Sequence, residues 1–155
     1  MNTPATQPAM RTGKPLRTRA AAAATAGFIA IAGFEIALAL GAPLGRAAWG
    51  GAHVYLTEGL RIASVFAAAF WALAALVILA RAGFRGTPVP FRASLWGAWV
   101  LTGVLALGAL MNFASPSAWE RFLQAPIALA MAVLCLIVAR GGHQRPGPIP
   151  DRPAA

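Results

Sequence analysis

Charge is what this sequence has least of, and acid least of all. Asp, Glu, Lys and Arg make up 11% of its 155 residues, where a soluble domain carries about 25%. Only four residues are acidic: Glu35, Glu58, Glu120 and Asp151. A single cysteine, Cys135, excludes an intrachain disulfide and any cysteine-rich metal site. Its apolar surroundings mark it as a small buried hydrophobe. The two histidines stand far apart, His53 in a connection and His143 in the C-terminal tail. His53 with Glu58 is too thin a pair for a metal, and no metal is expected. No nucleophile elbow, phosphate loop, zinc-binding spacing or dinucleotide fingerprint occurs, so no cofactor is expected either. The net charge of +9 suggests nucleic acid at first sight. The bases, however, gather in the tails and one loop without interleaved aromatics, which argues against that partner.

What is present is apolar residues, 59% of the chain, in four long blocks. About 20 such residues cross the hydrocarbon core as a helix. The blocks predict helices over residues 20–42, 60–80, 94–113 and 117–139. The expected fold is all-α: a four-transmembrane-helix bundle of one domain, with membrane lipid as its surroundings. Residues 1–19 and 141–155, rich in proline, glycine and arginine, are expected to be disordered tails. The first block, with its basic flank and Ala37-Leu38-Ala39, also has the outline of a signal peptide. Its full membrane length and its acid weigh against cleavage.

Charge placement predicts topology. Ten of the thirteen bases precede block one, lie between blocks two and three, or follow block four; Arg46, Arg61 and Arg121 do not. Positive loops stay inside, so both termini and residues 81–92 are expected to be cytoplasmic. Trp49, Tyr55 and Trp119 then mark the outer interface, and Trp96 and Trp99 the inner one.

The polar groups within the blocks are the candidates for function. Glu35 lies inside the first block, and an acid in a membrane-length segment is costly enough to be a functional hypothesis. Arg61 opens the second block as its expected counter-charge. Helical spacing puts Ser64, Ala68, Ala72 and Ala75 on one face, and Ala98, Thr102, Ala109 and Asn112 on another. Glu120, Gln124, Ala128, Met131 and Cys135 share a third. Glu35, Arg61, Ser64, Asn112 and Gln124 are therefore the candidate ligand- or ion-binding set, pointing into the outer half of the bundle. The connection from Gly41 to Gly59 is expected to cover them as a lid, with Pro43, Trp49, Gly50, Gly51 and His53 shaping it. Ser117-Ala-Trp-Glu120 fits a capping box at the fourth helix, and Pro126 a kink. On helix one, Ala26, Ala30, Gly33, Ala37 and Gly41 form a stripe of small residues opposite Glu35. If Glu35 faces inward, the stripe is free for a second copy of the chain.

Gly-Ala-Pro-Leu-Gly-Arg-Ala-Ala-Trp-Gly-Gly (41–51), Leu-Arg-Ile-Ala-Ser (60–64), Met-Asn-Phe-Ala-Ser (111–115) and Trp-Glu-Arg (119–121) resemble a group of small bacterial four-helix membrane proteins with no assigned activity. The resemblance spans helix one to helix four and implies a multi-pass protein of the bacterial cytoplasmic membrane. Claudin-like proteins also carry a tryptophan in the first outer loop, but their paired loop cysteines are missing here. Three functions are compatible with these residues. The first is a non-enzymatic protein binding or passing a small molecule or ion. The second is an assembly partner of itself or another membrane protein. The third is a lipid-modifying enzyme with Glu35 as general base.

Overall fold

A computed structural model describes residues 13–84 and 86–141. The chain forms α1 (Gly13–Ala39), α2 (Glu58–Ala82), α3 (Phe91–Ala114) and α4 (Ala125–Arg140), with a π turn, Glu120–Gln124, leading into α4. Four of its helices are long and apolar enough to cross a membrane. The protein is a multi-pass, all-α bundle of four membrane helices. We call the end that carries residues 43–57 the loop end, and the end where α1 begins and α4 stops the tail end.

The second, third and fourth helices lie within a few residues of their expected positions. Helix α1 begins at Gly13, well before Ala20. Two features explain the earlier start. Pro15 falls in the first turn, where its missing N–H costs no helical bond. Alanines 20 to 24 then propagate the helix at little entropic cost. Residues 13–19 are thus helix and not tail. Residues 1–12 and 142–155, also expected as tails, lie outside the described residues.

Helices α1 and α2 form one close pair, α3 and α4 the other. The core between them is built from Ala21, Ala24 and Phe28 of α1, Ala75 and Ile78 of α2, Ala98 and Leu105 of α3, and Met131, Cys135 and Val138 of α4. Phe28 stacks on Trp71 with ring centroids 5.5 Å apart. Helix approach depends on small residues, as is usual in lipid. A Cβ on Gly97 would sit 2.7 Å from Val77 Cγ1, so α2 and α3 cross where one of them has no side chain.

The expected inward faces hold. Ser64, Ala68 and Ala75 are buried, as are Ala98, Ala109, Met131 and Cys135; Ala72 alone of the α2 stripe is exposed. On α1, Ala26, Ala30 and Gly33 are exposed and Ala37 and Gly41 half-buried. The small stripe therefore lies on the outside of the bundle, and the half-buried Glu35 on the other side.

Candidate functional site

Residues 43–57 fold into two short 3-10 turns, Gly45–Ala47 and Trp49–Gly51. The segment has a small core of its own. Ala48 and Leu56 pack with Leu38 of α1, flanked by Phe34 and Leu60. The Gly45 N–H donates to Val54 O at 3.0 Å and closes the segment on itself. A connection with its own core and ladder bond has a defined shape, which a lid needs.

Fixing that shape against the helices falls to the start of the fourth span. The Gly50 N–H donates to Glu120 Oε1 at 2.6 Å. Ser115 Oγ donates to Glu120 Oε2. Gln124 Nε2 donates to the Ala47 carbonyl, and Ser117 Oγ to the Arg46 carbonyl at 3.3 Å. Arg121 Nη2 donates to the Ser115 carbonyl at 2.8 Å and braces the same corner. The π turn places Glu120 and Gln124 on this side of the helix. It arises where Pro126 lacks the N–H that an α turn would use, and the Ala125 N–H reaches back to Glu120 O instead.

The expected capping box does not form. Ser117 bonds the loop, and Glu120 bonds Gly50 and Ser115 rather than the Ser117 N–H. A buried carboxylate near the positive end of a helix takes the strongest donors within reach. Here those come from the loop. Glu120, at 7% exposure, is the latch of the segment, a role that local spacing did not show.

Beneath the segment lies Glu35. The hydroxyl of Ser64 and the indole of Trp49 lie near its carboxyl. Trp49 Nε1 also donates to Ser64 Oγ at 3.2 Å. Ser64 is fully buried. Glu35 Oε2 is buried and has no hydrogen-bond partner. Trp49 reaches this position with φ 53°, followed by Gly50 at 79° and Gly51 at 72°. A bulky residue in the left-handed region costs about 1–2 kcal/mol. The Glu120 bond to the Gly50 N–H and the indole bond to Ser64 help to hold it there.

The other expected members are not brought to this carboxyl. Arg61 is exposed, and its Nε donates to the Ala39 carbonyl at 2.8 Å. Its guanidinium lies over Gly41, close to where a Cβ would be. It caps the negative end of α1 instead of pairing with Glu35, because unsatisfied last-turn carbonyls attract a nearby cation. Among the described residues the Asn112 side chain has no hydrogen-bond partner, and Gln124 is taken up by the loop. Of the five, only Glu35 and Ser64 meet, and Trp49 joins them from the segment. Pro43 and His53 are exposed; the His53 carbonyl presses against Gly45. A shallow apolar hollow of about 310 Å³ at the loop end is lined by Ala118, Trp119, Phe122 and Leu123, none of which belongs to the polar cluster. Among the described residues, no three of His, Cys, Asp and Glu group as metal ligands.

What this arrangement offers is a half-buried carboxyl on a membrane-length helix, under a latched aromatic cap, with one oxygen lacking a donor. No protein-family model, curated protein or solved structure matches this chain.

Proposed function

We propose that the protein binds, or passes, a small cation at Glu35, on the outer side of the bacterial cytoplasmic membrane. The observation that carries this reading is Glu35 Oε2, buried and without a donor. An acid at that depth is costly unless it meets a proton or another cation. Arg61 does not supply one. The Trp49 indole covers the carboxyl and Ser64 steadies it, so the 43–57 segment acts as the lid. Entry then requires Trp49 to leave Ser64, a motion that the left-handed strain at Trp49 favours.

The test is a titration of the detergent-solubilised protein with sodium ion and, separately, with methylammonium, read by tryptophan emission. Wild type is expected to show a saturable change that Glu35→Gln abolishes while still melting at or above the wild-type temperature. Glu35→Gln responding as wild type does, or a wild type silent to both cations, sinks the reading.

A second reading has its own observation. Ala26, Ala30 and Gly33 form an exposed small-residue face, and nothing lies within 4 Å of a Cβ placed on Gly33. Such faces let membrane helices approach closely. On this reading α1 packs against α1 of a second copy, leaving the Glu35 site intact on the far side.

A further inference from the structure

We propose that the tail end binds one phosphate oxyanion through Arg81, with Arg17 beside it, and that an anionic phospholipid headgroup supplies it. The proposal is independent of the role of Glu35.

Arg81 ends α2 and is 3% exposed, among the most buried polar residues described. Its Nη2 donates to the carbonyls of Ala139 at 2.9 Å and Gly141 at 2.6 Å, at the end of α4. Its Nε and Nη1 are buried and have no hydrogen-bond partner. A guanidinium carries five N–H donors in a planar fork. Here one edge of the fork holds the α4 terminus, and three N–H groups remain unmatched. Phe91, at the start of α3, places its ring 5.8 Å from the Arg81 guanidinium carbon.

Arg17 reaches the same point from α1. Its Nη2 donates to the Arg81 carbonyl, and its side chain lies against Gly141, where a Cβ would come within 2.5 Å of Arg17 Cδ. The two cations are close enough to repel each other. All four helices thus end on one spot, and the spot has two positive charges. The three acids among the described residues, Glu35, Glu58 and Glu120, all belong to the loop half of the bundle.

A donor edge of this kind fits an oxyanion with two oxygens in one plane, which a carboxylate or a phosphate supplies. The site stands at the ends of four membrane-length helices, the depth at which phospholipid phosphates lie. Charge asymmetry predicts that this end faces the cytoplasm, and basic groups near a membrane surface attract anionic lipid. Arg17, only half-buried, stands at the edge through which a headgroup would enter.

The experiment uses the full chain in detergent, with thermal unfolding and native mass spectrometry as readouts. The additives are phosphatidylglycerol, phosphatidylcholine and inorganic phosphate. Phosphatidylglycerol at about a hundredfold over its Kd is expected to raise the melting temperature by roughly 5–10 °C, with phosphatidylcholine giving little. One phosphatidylglycerol is expected to stay bound in the gas phase. Arg81→Gln is expected to lose both effects, and Arg81→Lys, which keeps the charge without the fork, to lose most of the affinity. If inorganic phosphate stabilises as strongly as the lipid, the oxyanion site stands and its source is free phosphate. No response of wild type to phosphatidylglycerol or to inorganic phosphate overturns the proposal, whether or not the variants fold. So does an Asp151→Asn variant that gains a response wild type lacks, since the oxyanion would then be the chain's own carboxylate.

Discussion

At the loop end, two carboxylates lie inside the protein. Glu120 is matched on both oxygens, by Gly50 and Ser115. Glu35 has one oxygen that nothing answers. At the tail end the buried charges are arginines, and Arg81 keeps two nitrogens unanswered. Glu120 shows that this chain does satisfy a buried charge where shape depends on it. On the two proposals above, the unmatched atoms of Glu35 and Arg81 are where a partner from outside would fit: a cation at one end, an oxyanion at the other. The contrast also separates structure from function. Glu120 is a stability residue at the functional end, and removing it should act differently from removing Glu35.

The largest expected effect is therefore at Glu120. Glu120→Ala strips two charge-assisted hydrogen bonds and leaves the Gly50 N–H without an acceptor. Bonds to charged groups contribute about 1.5–3 kcal/mol each, so the loss should be roughly 3–6 kcal/mol. Thermal unfolding should fall by roughly 10 °C. Proteolysis should newly cut within residues 43–57. Glu35→Gln should cost nothing by either measure. If the two variants melt alike, the distinction between a latch and a site is wrong.

A smaller effect sharpens the claim that the segment has a fixed shape. A Cβ on Gly45 would lie 2.6 Å from the His53 carbonyl oxygen and 2.9 Å from Leu56 Cδ2. The first contact is with backbone, so it is not relieved by a rotamer change. Gly45→Ala must open the ladder bond to Val54 or displace Leu56 from its small core. Overpacking of this kind costs about 1–3 kcal/mol. A Gly45→Ala protein with wild-type melting would show that the segment is loosely held and that the cap over Glu35 is not built in.

The four spans were legible because membrane length and apolarity are properties of a run of residues. The inward faces of α2, α3 and α4 were legible because helical spacing is local too, and Ser64 was found that way. The latch was not. Glu120 meets Gly50 across 70 residues of chain, and the Ser-x-x-Glu spacing offered a nearer, wrong partner. Arg61 was misplaced for a related reason. Its opposite charge to Glu35 was visible, but the carbonyl end of α1, which attracts it, is a backbone feature that composition does not display. Arg81 entered the sequence reading only as a topology charge. That it is buried depends on α1 starting early enough to bring Arg17 over it, which the proline and arginines of residues 13–19 concealed.

The smallest expected effect lies between the two ends, on the outer face of α1. Gly33 has nothing within 4 Å of its would-be Cβ, and Ala26 and Ala30 on the same stripe are exposed. In a monomer Gly33→Leu adds a side chain that meets only acyl chains. Leucine is also the better helix former, by about 0.8–1.0 kcal/mol at most. Melting should hold or rise slightly, and the cation response assigned to Glu35 should be unchanged. If the stripe is instead a contact between two copies, leucine there would block close approach, and the protein would sediment as a smaller species than wild type. A loss of the cation response together with a change in size would mean that the site is completed by a second copy. In that case the charge contrast between the two ends belongs to the assembly and not to the single chain.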